Sequence, residues 1–458
     1  MNNKIMNQTR RLAFNAKRSL AIFSLAFCFL SNVNWAHDEI PGDDQKNPIV
    51  LINGTVHPIS SPAIENGMIL FHKGKIVAVG KKVKFPKNAK VIDVKGKHVF
   101  PSLFEAHSQI GLIEIGAVRS TDDRSEIGLI NPNVKAQVAV NPDSEVIPVT
   151  RSNGVLLALT APSGSIVSGK SAVIQLDGWT YEDMTVKGVA AMNVVWPSVG
   201  SAIPFTSTSP TFRRGRRGGG SNGDSIQILR KLFDDTRAYK KALVSGSASF
   251  KHDLRLEAMI PVADGQLPMM VEANDLQQIQ SAVAFASEQK AKLIILGGYD
   301  APLCAQLLKK HDVPVILSAV YRMPRRRNDD YDAAYTLPVR LQKLGVKYCI
   351  SGTDRSETWN ARILPDHAGT AVAYGLEKDE ALKAITLYPA QILGVDKQVG
   401  SLDVGKDATL FVSTASPLNI ANQVEVAFVQ GRHVELNDRH KRLYKKYQEK
   451  YRQKAVAK

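Results

Sequence analysis

Cysteine is scarce in this chain: Cys28, Cys304 and Cys349 are the three among 458 residues. No Cys-x-x-Cys knuckle occurs, which excludes thiolate zinc and dithiol redox motifs. Three thiols also cannot build a disulfide framework for a protein of this size. Histidine is thin as well, ten in all, so a site needing several imidazoles has a short inventory. No apolar run is long enough to span a bilayer, which takes about 20 residues; the longest stretch of note runs from Leu20 to Leu30. A phosphate-cradling loop is missing too. Ser168-Gly169-Lys170-Ser171 imitates the end of one but lacks the Gly-x-x-x-x spacing before it.

The net charge of +16 suggests a polyanion partner until it is located. Residues 1–36 carry +5 with no acidic residue, and residues 439–458 carry nine basic residues against Glu449. The body between them holds only +3. That distribution excludes a nucleic-acid recognition fold, which would spread basic residues over one face.

Residues 1–36 have the layout of a secretory signal peptide. Lys4, Arg10, Arg11, Lys17 and Arg18 precede the apolar run, and Ala36 offers a small residue for cleavage. The expectation is a periplasmic or secreted protein without a transmembrane segment after signal removal. Arg10-Arg11 leaves the choice between general and twin-arginine export open.

Residues 48–100 read as short strands between turn dipeptides: Ile49–Ile52, Met68–Phe71, Ile76–Gly80, Val91–Val94 and His98–Phe100. The same texture returns at Thr409–Val412, Val424–Val429 and His433–Val434. Neither fragment can bury a core alone. The reading is one β-sandwich split between 48–100 and 397–436, with residues 101–396 inserted. In the insert, short apolar strands alternate with helical stretches, the pattern of a (β/α)8 TIM-like barrel in an α/β protein. Seven strands are legible, at Leu103, Gly154, Met192, Leu267, Lys292, Pro314 and Tyr348. An eighth, fourth in order, is expected between 244 and 262. Residues 437–458 read as a basic helical tail with Leu443, Tyr444, Tyr447 and Tyr451 along one side. Such a stripe can lie on anionic lipid; packing of the tyrosines on the tail's own domain is the expectation.

Three phrases carry a family resemblance. Pro101-Ser102-Leu103-Phe104-Glu105-Ala106-His107-Ser108-Gln109 resembles the first-strand Pro-Gly-Leu-Ile-Asp-x-His-x-His phrase of amidohydrolases. Ser351-Gly352-Thr353-Asp354 resembles the last strand with its metal-binding, proton-shuttling aspartate. Glu380 through Pro389-Ala390 to Gly405-Lys406-Asp407-Ala408 resembles the closing helix and the return to the sandwich. The resemblance spans about residues 48–436 and is closest to the imidazolonepropionase-related branch.

It implies a hydrolase acting on a non-peptide C–N bond, or on a small amide or dipeptide, through a metal-activated water. In that family four histidines and an aspartate hold the metal. Here one first-strand imidazole is Gln109, the fifth-strand position is Val271-Glu272-Ala273, and the sixth-strand position is Gly297-Gly298. Only His107 and Asp354 match. The resemblance therefore implies one divalent metal (Zn, Mn or Mg) on His107, Gln109, Glu272 and Asp354, with Asp354 also catalytic, and no binuclear four-His zinc site.

Arg213, Arg214 and Arg326 fall in loops after the third and seventh strands, and His367 follows the last. They are the candidates for binding a small-molecule substrate with an anionic group; solvated loop arginines are the alternative reading. The rival reading of the whole chain is a catalytically inactive barrel that binds a ligand or a protein. A homo-oligomer is compatible with the sequence and is not fixed by it.

Overall fold

The computed structural model describes residues 40–197, 222–246, 251–352 and 358–456. The leader, Arg213, Arg214 and Asp354 lie outside the described residues.

The two end fragments join in one hydrogen-bonded sheet. From the first come β1 (Ile49–Val56), β2 (Ile64–His72), β3 (Lys75–Gly80), β4 (Lys90–Asp93) and β5 (His98–Pro101). From the second come β14 (Leu410–Ser413), β15 (Val424–Val429) and β16 (Arg432–Val434). The order is β16-β15-β14-β5-β1-β2-β3, with β4 also on β1. The junction is antiparallel, from Leu410 opposite Pro101 to Ser413 opposite His98. Two tight hairpins hold it: Lys73-Gly74 and Gln430-Gly431 each put two successive residues at positive φ, as a type I′ turn requires. Leu51, Ile69, Phe71, Val99, Leu410 and Phe428 fill one core. β1 runs parallel to both β4 and β5, so the sheet is mixed.

Between these fragments lies a second eight-stranded sheet. Its strands are β6 (Leu103–Ser108), β7 (Val155–Thr160), β8 (Val167–Gln175), β9 (Thr185–Val195), β10 (Met269–Ala273), β11 (Leu293–Gly297), β12 (Val315–Leu317) and β13 (Tyr348–Ile350). They follow one another in chain order, leaving β6 and β13 as the ends of the hydrogen-bonded path. Pairing is parallel except on the two sides of β8.

That exception corrects the expected strand between 244 and 262. Leu254–Ala263 is a helix instead: the Asp253 carboxylate accepts from the Arg255 and Leu256 amides, and Met259 and Val262 face inward. An N-cap carboxylate followed by residues buried three apart is helical chemistry. The eighth strand is β8, which contains the Ser168-Gly169-Lys170-Ser171 stretch and turns back antiparallel after β7.

Helix α1 (Val146–Arg151) closes the insertion after β6. Its buried Arg151 pairs with Asp177 at 3.1 Å, and Asp177 also meets Arg432 at 3.2 Å. That buried triad ties the insertion to the end sheet. Helix α2 (Leu364–Ala373) follows the last barrel strand, and helix α3 (Arg439–Val456) forms the tail. Contrary to the expectation, the tail's tyrosines do not pack on the body. Tyr444, Tyr447 and Tyr451 are 69%, 49% and 65% exposed.

Candidate active site at the barrel mouth

In a parallel barrel, loops at the carboxyl ends of the strands form the reactive face. β6 delivers His107 there, and the chain leaving β13 delivers Ser351 and Gly352. One buried side chain joins the two: Glu105, fully inaccessible on β6. Its Oε1 accepts from the His107 amide at 3.2 Å and from the Ser351 hydroxyl. Its Oε2 accepts from the Gly352 amide at 2.8 Å. The Ser351 hydroxyl also sits 3.2 Å from the His107 carbonyl. β6 and β13 are the path ends of the sheet, so this carboxyl spans the gap between the first and last strands. Burial pushes its pKa up to about 7, against the lowering effect of the bonds from Ser351, Gly352 and His107. Burial lowers the His107 imidazole to about 4, so it is neutral at neutral pH, the form that binds a metal.

Gln109 is committed to the insertion loop. Its amide donates to the Ser163 hydroxyl at 3.0 Å, and its carbonyl faces Arg124 at 3.5 Å. Arg124 is in turn held by both oxygens of Asp122, each at 2.8 Å. Glu272 lies near the end of β10, partly exposed.

Across the mouth, Arg326 is the centre of an ion-pair cluster. It forks onto Asp300 at 2.9 and 2.5 Å and reaches Asp275 at 3.2 Å. Arg325 also meets Asp275, at 3.1 Å. Asp329 accepts from the Arg325 and Arg326 amides and from the Tyr299 hydroxyl at 3.0 Å. Burial alone would raise the Asp300 carboxyl; the bonds from Arg326 and the Leu276 amide bring it below its ordinary value instead. The cluster fastens together the loops after β10, β11 and β12.

His367, on α2, is turned inward. Its Nδ1 accepts from the Val320 and Tyr321 amides at 3.0 and 3.2 Å, and its ring lies 4.4 Å from that of Tyr321. Burial lowers its pKa to about 4. It therefore supports the loop after β12.

Sequence reasoning had not singled out Glu105, Asp275 or Asp300. A carboxylate inside the otherwise apolar Leu103–Ala106 run was the available signal for Glu105, because an unpartnered buried charge is too costly to keep.

These donors can be tested against the metal that the resemblance implies. A four-histidine centre does not fit. At Gly297, φ is +98° and a Cβ would lie 2.5 Å from Asn274 Oδ1; at Gly298 it would lie 2.3 Å from Val315 Cγ1. The chain is packed for glycine where the family carries its sixth-strand imidazole. A single ion suits the donor chemistry better: one neutral imidazole, His107, with the carboxylates of Glu272 and Asp354. Among the described residues no three His, Cys, Asp or Glu side chains converge on a metal position.

A separate cavity of about 670 Å³ lies at the opposite, amino end of the strands. Tyr348, Glu380, Tyr388 and Lys347 are among the residues lining it.

Comparison with known proteins adds kinship. A sequence model of the amidohydrolase family matches residues 305–434. The amidohydrolase tasK of Hapsidospora irregularis is 23% identical over 403 residues, covering 80% of this chain. The chain spans 39% of that relative's length. Among solved structures, an amidohydrolase from Thermotoga maritima MSB8 is 26% identical with a TM-score of 0.75, over 84% of this chain and 99% of that one. A prolidase complexed with N-methylphosphonate-L-proline shares the fold at 16% identity and a TM-score of 0.53, over 85% of this chain and all of its own.

Proposed function

We propose, on the match of residues 305–434 to the amidohydrolase family and the likeness to a solved amidohydrolase, that the chain is a member of the amidohydrolase superfamily and hydrolyses a C–N bond in a small molecule. A small amide, a dipeptide or another non-peptide C–N compound is the proposed substrate class, with one divalent ion as cofactor. Within the superfamily, the imidazolonepropionase-related branch is the proposed placement, on the phrases around His107 and Asp354. Export to the periplasm or medium is proposed on the leader's pattern.

The observation that carries this reading is the Glu105 bridge. It fixes the backbone of His107 and of Ser351-Gly352 to one carboxyl, and Asp354 follows Gly352 by two residues. His107, Glu272 and Asp354 would hold the ion. When bound, it would supply the Lewis acidity that brings an attacking water into the neutral pH range, near pKa ~7. Asp354 would take the proton from that water and return it to the departing nitrogen. Glu105 acts as a positioning residue, and Gln109 orders the insertion loop rather than the ion. Arg326 already serves carboxylates, so an anionic end on the substrate would have to be met by Arg213 and Arg214.

Metal analysis of the purified chain, with turnover of an amide and dipeptide panel, tests the reading. About one bound ion is expected, lost in His107→Ala and Asp354→Ala, with turnover falling by ~10²-fold or more in the latter. Absence of both metal and turnover in a folded sample would favour a second reading, a silent barrel that binds a ligand or a protein. What favours that second reading is the glycine packing at Gly297 and the engaged amide of Gln109.

A further inference from the structure

Among the described residues, helix α3 is held to the body at its start. The Asp438 carboxylate caps it, accepting from the His440 and Lys441 amides at 2.7 and 3.0 Å. One turn later, Arg442 Nη2 donates to both carboxylate oxygens of Glu145, at 3.0 and 3.1 Å. From Leu443 through Ala455 every residue is exposed. A polar helix of this length gains little from its own hydrogen bonds in water, so a surface that covers it would stabilise it.

Its residues are sorted by face. At 100° per residue, Leu443, Tyr444, Tyr447 and Tyr451 fall within an arc of about 100°. Eight basic residues occupy Arg439–Val456: Arg439, Lys441, Arg442, Lys445, Lys446, Lys450, Arg452 and Lys454. The single acid, Glu449, is already held by Arg452 and Gln453. Lys450 and Lys454 lie at the edge of or within the aromatic arc, and the Lys450 ammonium sits 5.5 Å from the Tyr447 ring centre. Aromatic and cationic groups can therefore meet one flat surface together.

We propose that α3 docks the protein on an anionic phospholipid surface. The charge complements lipid phosphates and acidic headgroups, each basic residue near such a surface contributing about 1 kcal/mol. The aromatic stripe is narrow and hydroxylated, which suits the headgroup level, where tyrosine concentrates, and not the hydrocarbon core. A nucleic acid or other linear polyanion would use the lysines and leave the tyrosine stripe in water, so the aromatic arc favours the bilayer. The proposal does not depend on the catalytic reading.

Flotation of the full chain with vesicles provides the test. Binding is expected to phosphatidylcholine vesicles carrying about 30% phosphatidylglycerol, and not to phosphatidylcholine alone, with loss as salt rises from about 0.05 to 0.5 M. Neutralising Lys446, Lys450 and Lys454, which lie on or beside the aromatic arc, to Gln should weaken binding about fivefold per lysine. Replacing Tyr444, Tyr447 and Tyr451 by Ser, at unchanged charge, should weaken it further. All six side chains are exposed, so these variants should keep the parent's melting temperature. No binding at low salt would overturn the proposal. So would binding indifferent to both sets, or heparin binding that depends on the lysines while the vesicles fail to capture the protein.

Discussion

On the β6–β13 side of the barrel mouth, the fastening is one buried carboxyl receiving neutral donors: Glu105 with the His107 and Gly352 amides and the Ser351 hydroxyl. On the β10–β12 side it is a cluster of opposite charges, Arg325 and Arg326 against Asp275, Asp300 and Asp329. The first side keeps an imidazole next to the fastening and leads on to Asp354. The second has committed its cations to carboxylates of the protein itself. An arginine at a barrel mouth therefore counts as a substrate contact only after its partners are known. A lone carboxylate in an apolar strand, by contrast, points to the site through the backbone it holds.

The largest effect should come from breaking the β6–β13 side. Glu105→Ala leaves the His107 and Gly352 amides without their acceptor in a dry place and opens a cavity, which should cost about 3–5 kcal/mol. Urea unfolding measures the loss, and hydrogen exchange at the Gly352 amide should accelerate. A loss below about 1 kcal/mol, with Gly352 still protected, would mean that the seam is held elsewhere and Glu105 positions nothing.

Arg326→Ala should cost less, about 2–3 kcal/mol. It strands the buried Asp300 carboxylate, but the Arg326 side chain is 41% exposed, so water replaces part of the interaction. The pH dependence has a definite sign. Asp300 titrates below its ordinary value in the folded protein. Its contribution is thus complete above the unfolded pKa, near 4, and disappears as pH falls through the folded one. The stability gap between parent and Arg326→Ala should accordingly be constant at neutral pH, begin to shrink once the stranded Asp300 of the variant, raised by burial, takes up its proton, and disappear as pH falls through the parent's lowered value. A gap that widens in acid would assign the ion pair to some other carboxylate. Arg326→Lys keeps the charge without the fork and should recover only part of the loss.

Much of the architecture was legible because its signals are local. Lys73-Gly74, Lys95-Gly96 and Gln430-Gly431 mark turns within a few residues, and apolar runs such as Leu293–Leu296 declare buried strands. β8 escaped because its first half, Val167–Ser171, carries small and polar residues that read as a loop. It becomes a strand only through pairing with β7 and β9. The helix at Leu254–Ala263 escaped for the same reason, since its apolar residues serve either period. Of the site, His107 was legible from its phrase. The partners of Arg326 were not, because Asp275 and Asp300 are 51 and 26 residues away along the chain and only the fold brings them together. The tail misled in the opposite direction: its tyrosine stripe predicts burial, yet Tyr444, Tyr447 and Tyr451 stay exposed.

Between the two fastened sides, the mouth relies on backbone. Gly297 closes β11 at φ +98° with Asn274 Oδ1 standing where a Cβ would go. Gly297→Ala should cost about 1–2 kcal/mol, chiefly from holding an L side chain at that dihedral. The steric share should be small, because the Asn274 side chain can swing aside. Asn274→Ala made together with Gly297→Ala separates the two contributions. If the pair is as unstable as Gly297→Ala corrected for the loss of Asn274, the dihedral dominates and no side chain, imidazole included, is tolerated there without moving β11. If the second change restores stability, the obstacle is the amide alone. The sixth-strand imidazole of the family would then be one neighbouring substitution away, and the contrast between the two sides of the mouth would not extend to its floor.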